Sequence, residues 1–158
     1  MNMHLNDLVR YIVKYYPYKD ELSKARLNKL IYLIDWKSAI DNQEQMSDIE
    51  WIFNHYGPYV SDIETRLLLD DRFDIEKTTN FYGSEKNIIK IKSDTDFKEP
   101  NEKQKKVMDF IIDATKGMYW NKFINTVYST YPIQHSQRGE QLDLVKLANE
   151  YKKVKNNE

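Results

Sequence analysis

The stretch "SKARLNKLIYLIDWKSAI", residues 23–40, decides the fold. Ser23 is a helix N-cap residue, and the Lys-Ala-Arg that follows makes a first helical turn, so a helix is predicted over about 24–42. Leu27, Leu30, Ile31 and Ile34 recur at three and four and form one apolar stripe. Tyr32, Leu33, Trp36 and Ile40 widen that stripe until the helix is apolar most of the way round. A helix of that kind is surrounded by other elements, so it belongs at the centre of the core. Its longest apolar run, "LIYLI", falls far short of the ~20 residues that span a bilayer.

Working outward, Leu5, Leu8, Val9, Ile12, Val13 and Tyr16 mark an amphipathic helix over 4–16 that Pro17 stops. On the other side, "DNQEQMSD" (41–48) is a polar connection. Ile49, Trp51, Phe53 and His55 then alternate as in a short strand. A helix is expected from about Pro58 to Leu69, with Ile63 and Leu67 inward. "RFDIEKTTN" and "NIIKIK", flanking "FYGSEK", read as a β-hairpin over 72–92. Pro100 sits where a helix over 101–115 can begin, with Val107, Phe110, Ile111 and Ala114 inward and Gly117 as its end. Trp120, Phe123, Ile124, Val127, Tyr128 and Tyr131 form the stripe of a helix over 119–130, stopped by Pro132. "PIQHSQRGEQ" is a loop, "LDLVKLANEYKKV" is a last helix, and residues 153–158 are a tail that frays. There is no internal repeat. The expectation is one mainly α domain of the α+β kind over 1–158, a helical core around a central buried helix, with a small β-hairpin and a short strand.

Of the 158 residues, 41% are hydrophobic and 31% charged, the profile of a folded, soluble protein. The absence of cysteine excludes disulfides, thiolate nucleophiles and cysteine-ligated zinc or iron–sulfur centres. It fits the cytoplasm, and "MNMHLNDLVRY" lacks the pattern of a secretory signal. The net charge is only −1, yet residues 41–76 hold ten acidic residues against Arg66 and Arg72, a local −8. That block is either a solvated face or a surface for a basic protein partner.

The search for chemistry is empty. The four glycines, at 57, 83, 117 and 139, are too dispersed to cradle a phosphate. Histidines 4, 55 and 135 lack metal-binding spacing, which leaves only a composite site of Asp35, His55 and His135 to consider, and no G-x-S-x-G occurs. Asp70 and Asp71 read as helix-terminal surface charges. The helices 101–115 and 119–130, joined by a short glycine turn, resemble a helix-turn-helix pair. The second presents Asn121, Lys122, Asn125, Thr126 and Ser129, and the hairpin with Lys90 is a candidate wing. One cation on that face is too few for phosphate contacts, so a nucleic-acid partner is not expected. In "HYGPYV" (55–60), Gly57 supplies backbone freedom and Pro58 presets the first turn of the next helix. Tyr56 is expected to pack back on the 24–42 helix and Tyr59 to point outward. Trp36 and Trp51 are of the type that anchors interfaces but are equally at home in a core.

Lys29, Leu30, Tyr32, Leu33, Asp35 and Trp36, followed at a fitting distance by Tyr56, Gly57 and Pro58, resemble the paired signature of the Panacea domain family, the SocA-like antitoxins and GepA-like proteins. "VYSTYPIQHSQRGEQLDLVKLANEY" (127–151) is similar to the family's closing segment. The resemblance implies an α-helical domain with a small β element and no enzymatic activity, cofactor or metal. It implies a bacterial protein of a prophage or mobile element that neutralises a cognate toxin by direct contact, or as an adaptor to an ATP-dependent protease. The expected partner-binding residues are Trp51, His55, Tyr56, Tyr59, Asp62, Asp70 and Asp71. The alternatives are a phage or mobile-element regulator binding nucleic acid through 101–130, or a phage-encoded inhibitor of a host protein. No membrane association is expected, and the oligomeric state is not indicated.

Overall fold

The computed structural model describes residues 2–79 and 82–157. Met1, Asn80, Phe81 and Glu158 lie outside the described residues, and with them the parts of the expected hairpin and tail that fall on Asn80, Phe81 and Glu158. Helix α1 (Leu5–Tyr15) leads through a 3₁₀ turn (Lys19–Glu21) into α2 (Lys24–Asn42). Strands β1 (Trp51–Asn54) and β2 (Gly57–Pro58), helix α3 (Asp62–Leu68) and the hairpin β3 (Phe73–Thr79) and β4 (Glu85–Ile91) follow. The chain closes with α4 (Glu102–Thr115), α5 (Trp120–Tyr128), α6 (Tyr131–Gln134), β5 (Gln141–Leu142) and α7 (Leu144–Asn156). One antiparallel sheet has the order β2–β1–β5, and the other pairs β3 with β4 from Phe73 opposite Ile91 to Thr79 opposite Glu85.

The expected mainly α fold with two small β elements is what forms. Helix α2 has the predicted bounds: Ser23 Oγ accepts the amide of Arg26, and Gln43 closes the other end in the left-handed region. Thirteen of its nineteen residues are buried, and α4, α7 and β4 pack around it, which makes it the central helix. Asn101 and Gln104 cap α4 reciprocally, each side chain accepting the other's backbone amide, so the helix starts one residue later than Pro100 alone suggested.

Several expectations are corrected. Pro58 does not open a helix. It sits on β2, opposite Phe53, and α3 starts only at Asp62. A residue without an N–H is as well suited to an edge strand as to a first helical turn, and β2 is an edge. Helix α4 buries Val107, Met108, Ile111, Ile112 and Thr115, so its inward stripe is displaced and Phe110 and Ala114 are exposed. Lys37 Nζ stands 4.4 Å above the Phe110 ring instead. Helix α5 ends at Tyr128, and Pro132 stands in the first turn of α6 rather than stopping a helix. The expected loop over 132–141 ends in β5, which pairs with β1 and takes Leu142 from the expected last helix, so that α7 starts at Leu144. The tail read as frayed continues α7 to Asn156.

Candidate functional site

One face of α2 holds the β1–β2 hairpin through polar groups spaced three and four apart. Asn28 clamps Val60 in both directions: its Nδ2 donates to Val60 O at 2.9 Å, and its Oδ1 accepts the Val60 amide at 3.3 Å. Lys29 Nζ donates to Pro58 O at 2.9 Å. Tyr32 meets the ring of Trp51 edge-on at 5.6 Å and is anchored by a 2.8 Å hydrogen bond with Thr130. Asp35, fully buried, accepts the Ser47 amide (2.8 Å), the Ser47 hydroxyl (2.6 Å) and the Trp51 indole N–H (2.8 Å). Leu30 is buried, and Trp36 packs against Tyr151 of α7. The two sequence blocks therefore occur together because the first holds the second in place.

The two buried charges of this cage are each far from their ordinary titration. Burial pushes the Asp35 carboxyl up to about 6, partly opposed by the Ser47 and Trp51 donors. Burial lowers the Lys29 ammonium to about 8 from an ordinary 10.5. Between those two pH values the unfolded chain carries a proton on Lys29 that the folded chain has released. The lysine's contribution to stability therefore rises as pH climbs through that window. Relative to Lys29→Met, the wild type should gain up to roughly 3 kcal/mol between pH 7.5 and 10.5, read by urea unfolding at both values. A difference that does not move with pH would contradict this environment for the lysine.

Gly57 makes the hairpin tight. Its φ of +97° is in the left-handed region, and a Cβ there would meet the Tyr128 ring at 3.5 Å, an ordinary contact. The cost of a side chain is thus in the backbone. Gly57→Val should lower stability by about 1–3 kcal/mol, visible as a depressed melting temperature, and a wild-type melting curve would refute the strain.

The hairpin presents its tip to solvent. Tyr56 is 77% exposed, with the His55 ring edge-on to it at 4.7 Å, and Ile52 projects from the outer face of β1. Arg138 Nε donates to His55 O at 3.2 Å and so ties the tip to the segment before β5. The roles expected of the tyrosines are reversed: Tyr59 is the half-buried one, with Lys29 Nζ 5.4 Å from its ring centroid. Trp51 is wholly buried and belongs to the core, not to a contact surface. Asp62 and Glu64 lie in the first turn of α3, and Asp71 is exposed. Asp70 is turned inward, accepting from Asn6 at 2.6 Å and from Arg72, which holds its carboxyl well below the usual carboxylate range. Sequence reasoning missed Leu68 and Leu69, exposed by 65% and 81% at the end of α3. The signal was present in "LLL": three consecutive leucines cannot share one buried helix face, and only Leu67 does face inward.

The acidic block is less acidic in space than in sequence. Asp41, Asp48, Glu64, Asp70 and Glu76, half of its ten acidic residues, pair with Lys37, Arg66, Lys24, Arg72 and Lys90. Asp35, His55 and His135 do not converge: the aspartate is buried, while His55 and His135 are exposed against Tyr56 and Tyr131. Among the described residues no three acidic or histidine side chains are grouped to hold a metal ion.

A family model described as antitoxin SocA-like, Panacea domain, matches residues 27–132, from the first turns of α2 to the start of α6. No curated protein and no solved structure matches the chain.

Proposed function

The chain belongs to the SocA-like antitoxin, Panacea-domain family, and we propose that it is a non-catalytic, cytoplasmic protein-binding module that neutralises a cognate toxin by direct contact. Family membership supports an antitoxin-type role. The single observation that carries the contact reading is the exposure of large apolar side chains on either side of α3 in the chain: Ile52 and Tyr56 on the hairpin, Leu68 and Leu69 at the helix end. Large exposed apolar groups on a rigid frame are the usual anchors of protein interfaces. Tyr56 is the strongest, because its turn is fixed by Gly57, Arg138 and the α2 cage. Glu50, Asp62, Asp71 and Asp74, which make no ion pair among the described residues, would favour a basic rim on the partner. Delivery to an ATP-dependent protease is a fate of the same complex and needs the same surface. Among the described residues no helix is long and apolar enough to cross a membrane.

Growth tests this reading. The product of a neighbouring gene is expected to arrest growth when expressed alone and to be harmless when this chain is expressed with it. Neighbouring genes that are all innocuous alone would remove the toxin reading.

A further inference from the structure

A second surface lies at the N-terminal end of α2. There the first turn of α2, the start of α5 and strand β4 bound a groove of about 520 Å³. Arg26 lines it and is only 4% exposed. Among the described residues its guanidinium forms hydrogen bonds only through Nη1, to Tyr16 Oη at 3.1 Å and Met118 O at 3.3 Å, and it pairs with no carboxylate. The rings of Phe123 and Trp120 lie 4.6 and 5.8 Å from it. Arg10, buried to a similar degree, shows the ordinary solution, holding both Asp94 and Glu99. Its unpaired guanidinium nitrogens are not among the buried unsatisfied atoms, so this largely buried cation without a carboxylate partner offers free donors to an anion entering the groove.

The groove also has an open strand edge. The Ile89 amide donates to Leu22 O at 3.1 Å, and Ser23 bridges Ile88, before the chain turns away into α2. Backbone groups alternate along a strand, so the amides of Asn87 and Glu85 point the same way as that of Ile89, away from β3. Among the described residues no strand pairs with Glu85–Asn87 on that side. Across the groove Tyr119 and Trp120 are 84% and 43% exposed, broad surfaces for the side chains of an added strand. Lys24 and Lys86 line the groove with Arg26, against Glu21 and Glu85, and Lys24 is already paired with Glu64. So small a net positive charge suits a single carboxylate better than a polyanion such as nucleic acid.

We propose that this groove binds an extended peptide segment by adding it as a strand to the free edge of β4, with one carboxylate of the peptide against Arg26. A side-chain carboxylate and a C-terminal one share that chemistry. The probes are acetylated hexapeptides of alternating threonine and valine: an amidated set with one glutamate stepped through all positions, and one uncharged member with a free C-terminus. Peptides with glutamine, or with an amidated end, are the controls. In amide-detected NMR titrations at least one acidic probe should saturate, shifting the Asn87 and Glu85 amides and the Trp120 indole. Affinity should fall about tenfold or more when its carboxylate is removed. Asn87→Pro, which deletes an edge donor without touching Arg26, should abolish binding at an unchanged melting temperature. The proposal is overturned if no probe saturates, if the glutamine or amidated controls bind equally, or if Asn87→Pro binds like the wild type. Saturation of the same signals by inorganic phosphate or a short oligonucleotide, with none by the peptides, also overturns it. This inference does not rest on the toxin reading, so innocuous neighbouring genes would leave it standing.

Discussion

Asp35→Ala should lower the unfolding free energy by about 3 kcal/mol at neutral pH, close to the limit of what a small domain tolerates. The substitution orphans the Ser47 amide, the Ser47 hydroxyl and the Trp51 indole, all buried around one carboxylate. Each unsatisfied group costs about 1–3 kcal/mol, and removal of the buried charge returns part of the sum. The same residue gives the fold a pH signature. Its carboxyl is raised to about 6 from an ordinary 3.8, so between those values the folded chain keeps a proton that the unfolded chain has lost. Its stabilising contribution is therefore full at acid pH and disappears as pH rises through 6. Measured against the non-titrating Asp35→Asn, the wild type should gain up to about 3 kcal/mol as pH falls from 7 to 4. Urea unfolding of the three proteins across that range checks both statements, and a pH-independent difference would contradict the buried, cation-free site.

The second large effect concerns binding rather than stability. Tyr56→Ala combined with Leu69→Glu should weaken the complex with the proposed toxin partner by about 30-fold or more, since a tyrosine anchor alone is commonly worth about 2 kcal/mol. Both side chains are mostly solvated, so the melting temperature should not change. The Asp35→Ala protein supplies the opposite pattern: its loss of protection should track its loss of folded protein. Protection that survives in the double variant would place the contact elsewhere on the surface.

How far the chain could be read in advance depended on whether a feature was local. Helix α2 carries its own cap and its own periodicity, and its predicted bounds match those observed. The placement of Asp35 was half legible: a carboxylate within an apolar helix must be partnered. Its partners stand twelve and sixteen residues downstream, and only the folded connection brings them there. Pro58 suits an edge strand and a helix start equally, so nothing local chose between them, and the positions of Tyr56 and Tyr59 were inverted with it. Phe110 failed for a related reason, because α4 offers two stripes of equal period and the packing against α2 selects the other. The charge block misled because its counter-ions Lys24, Lys37 and Lys90 lie outside it in sequence.

The most direct test of the central claim is a calorimetric titration of the purified chain with the product of the neighbouring gene that arrests growth. The account predicts a saturable complex with the wild type, one about 30-fold weaker with Tyr56→Ala/Leu69→Glu, and unchanged melting temperatures for both. A neighbouring toxin that the wild-type chain suppresses in cells yet does not bind would contradict it.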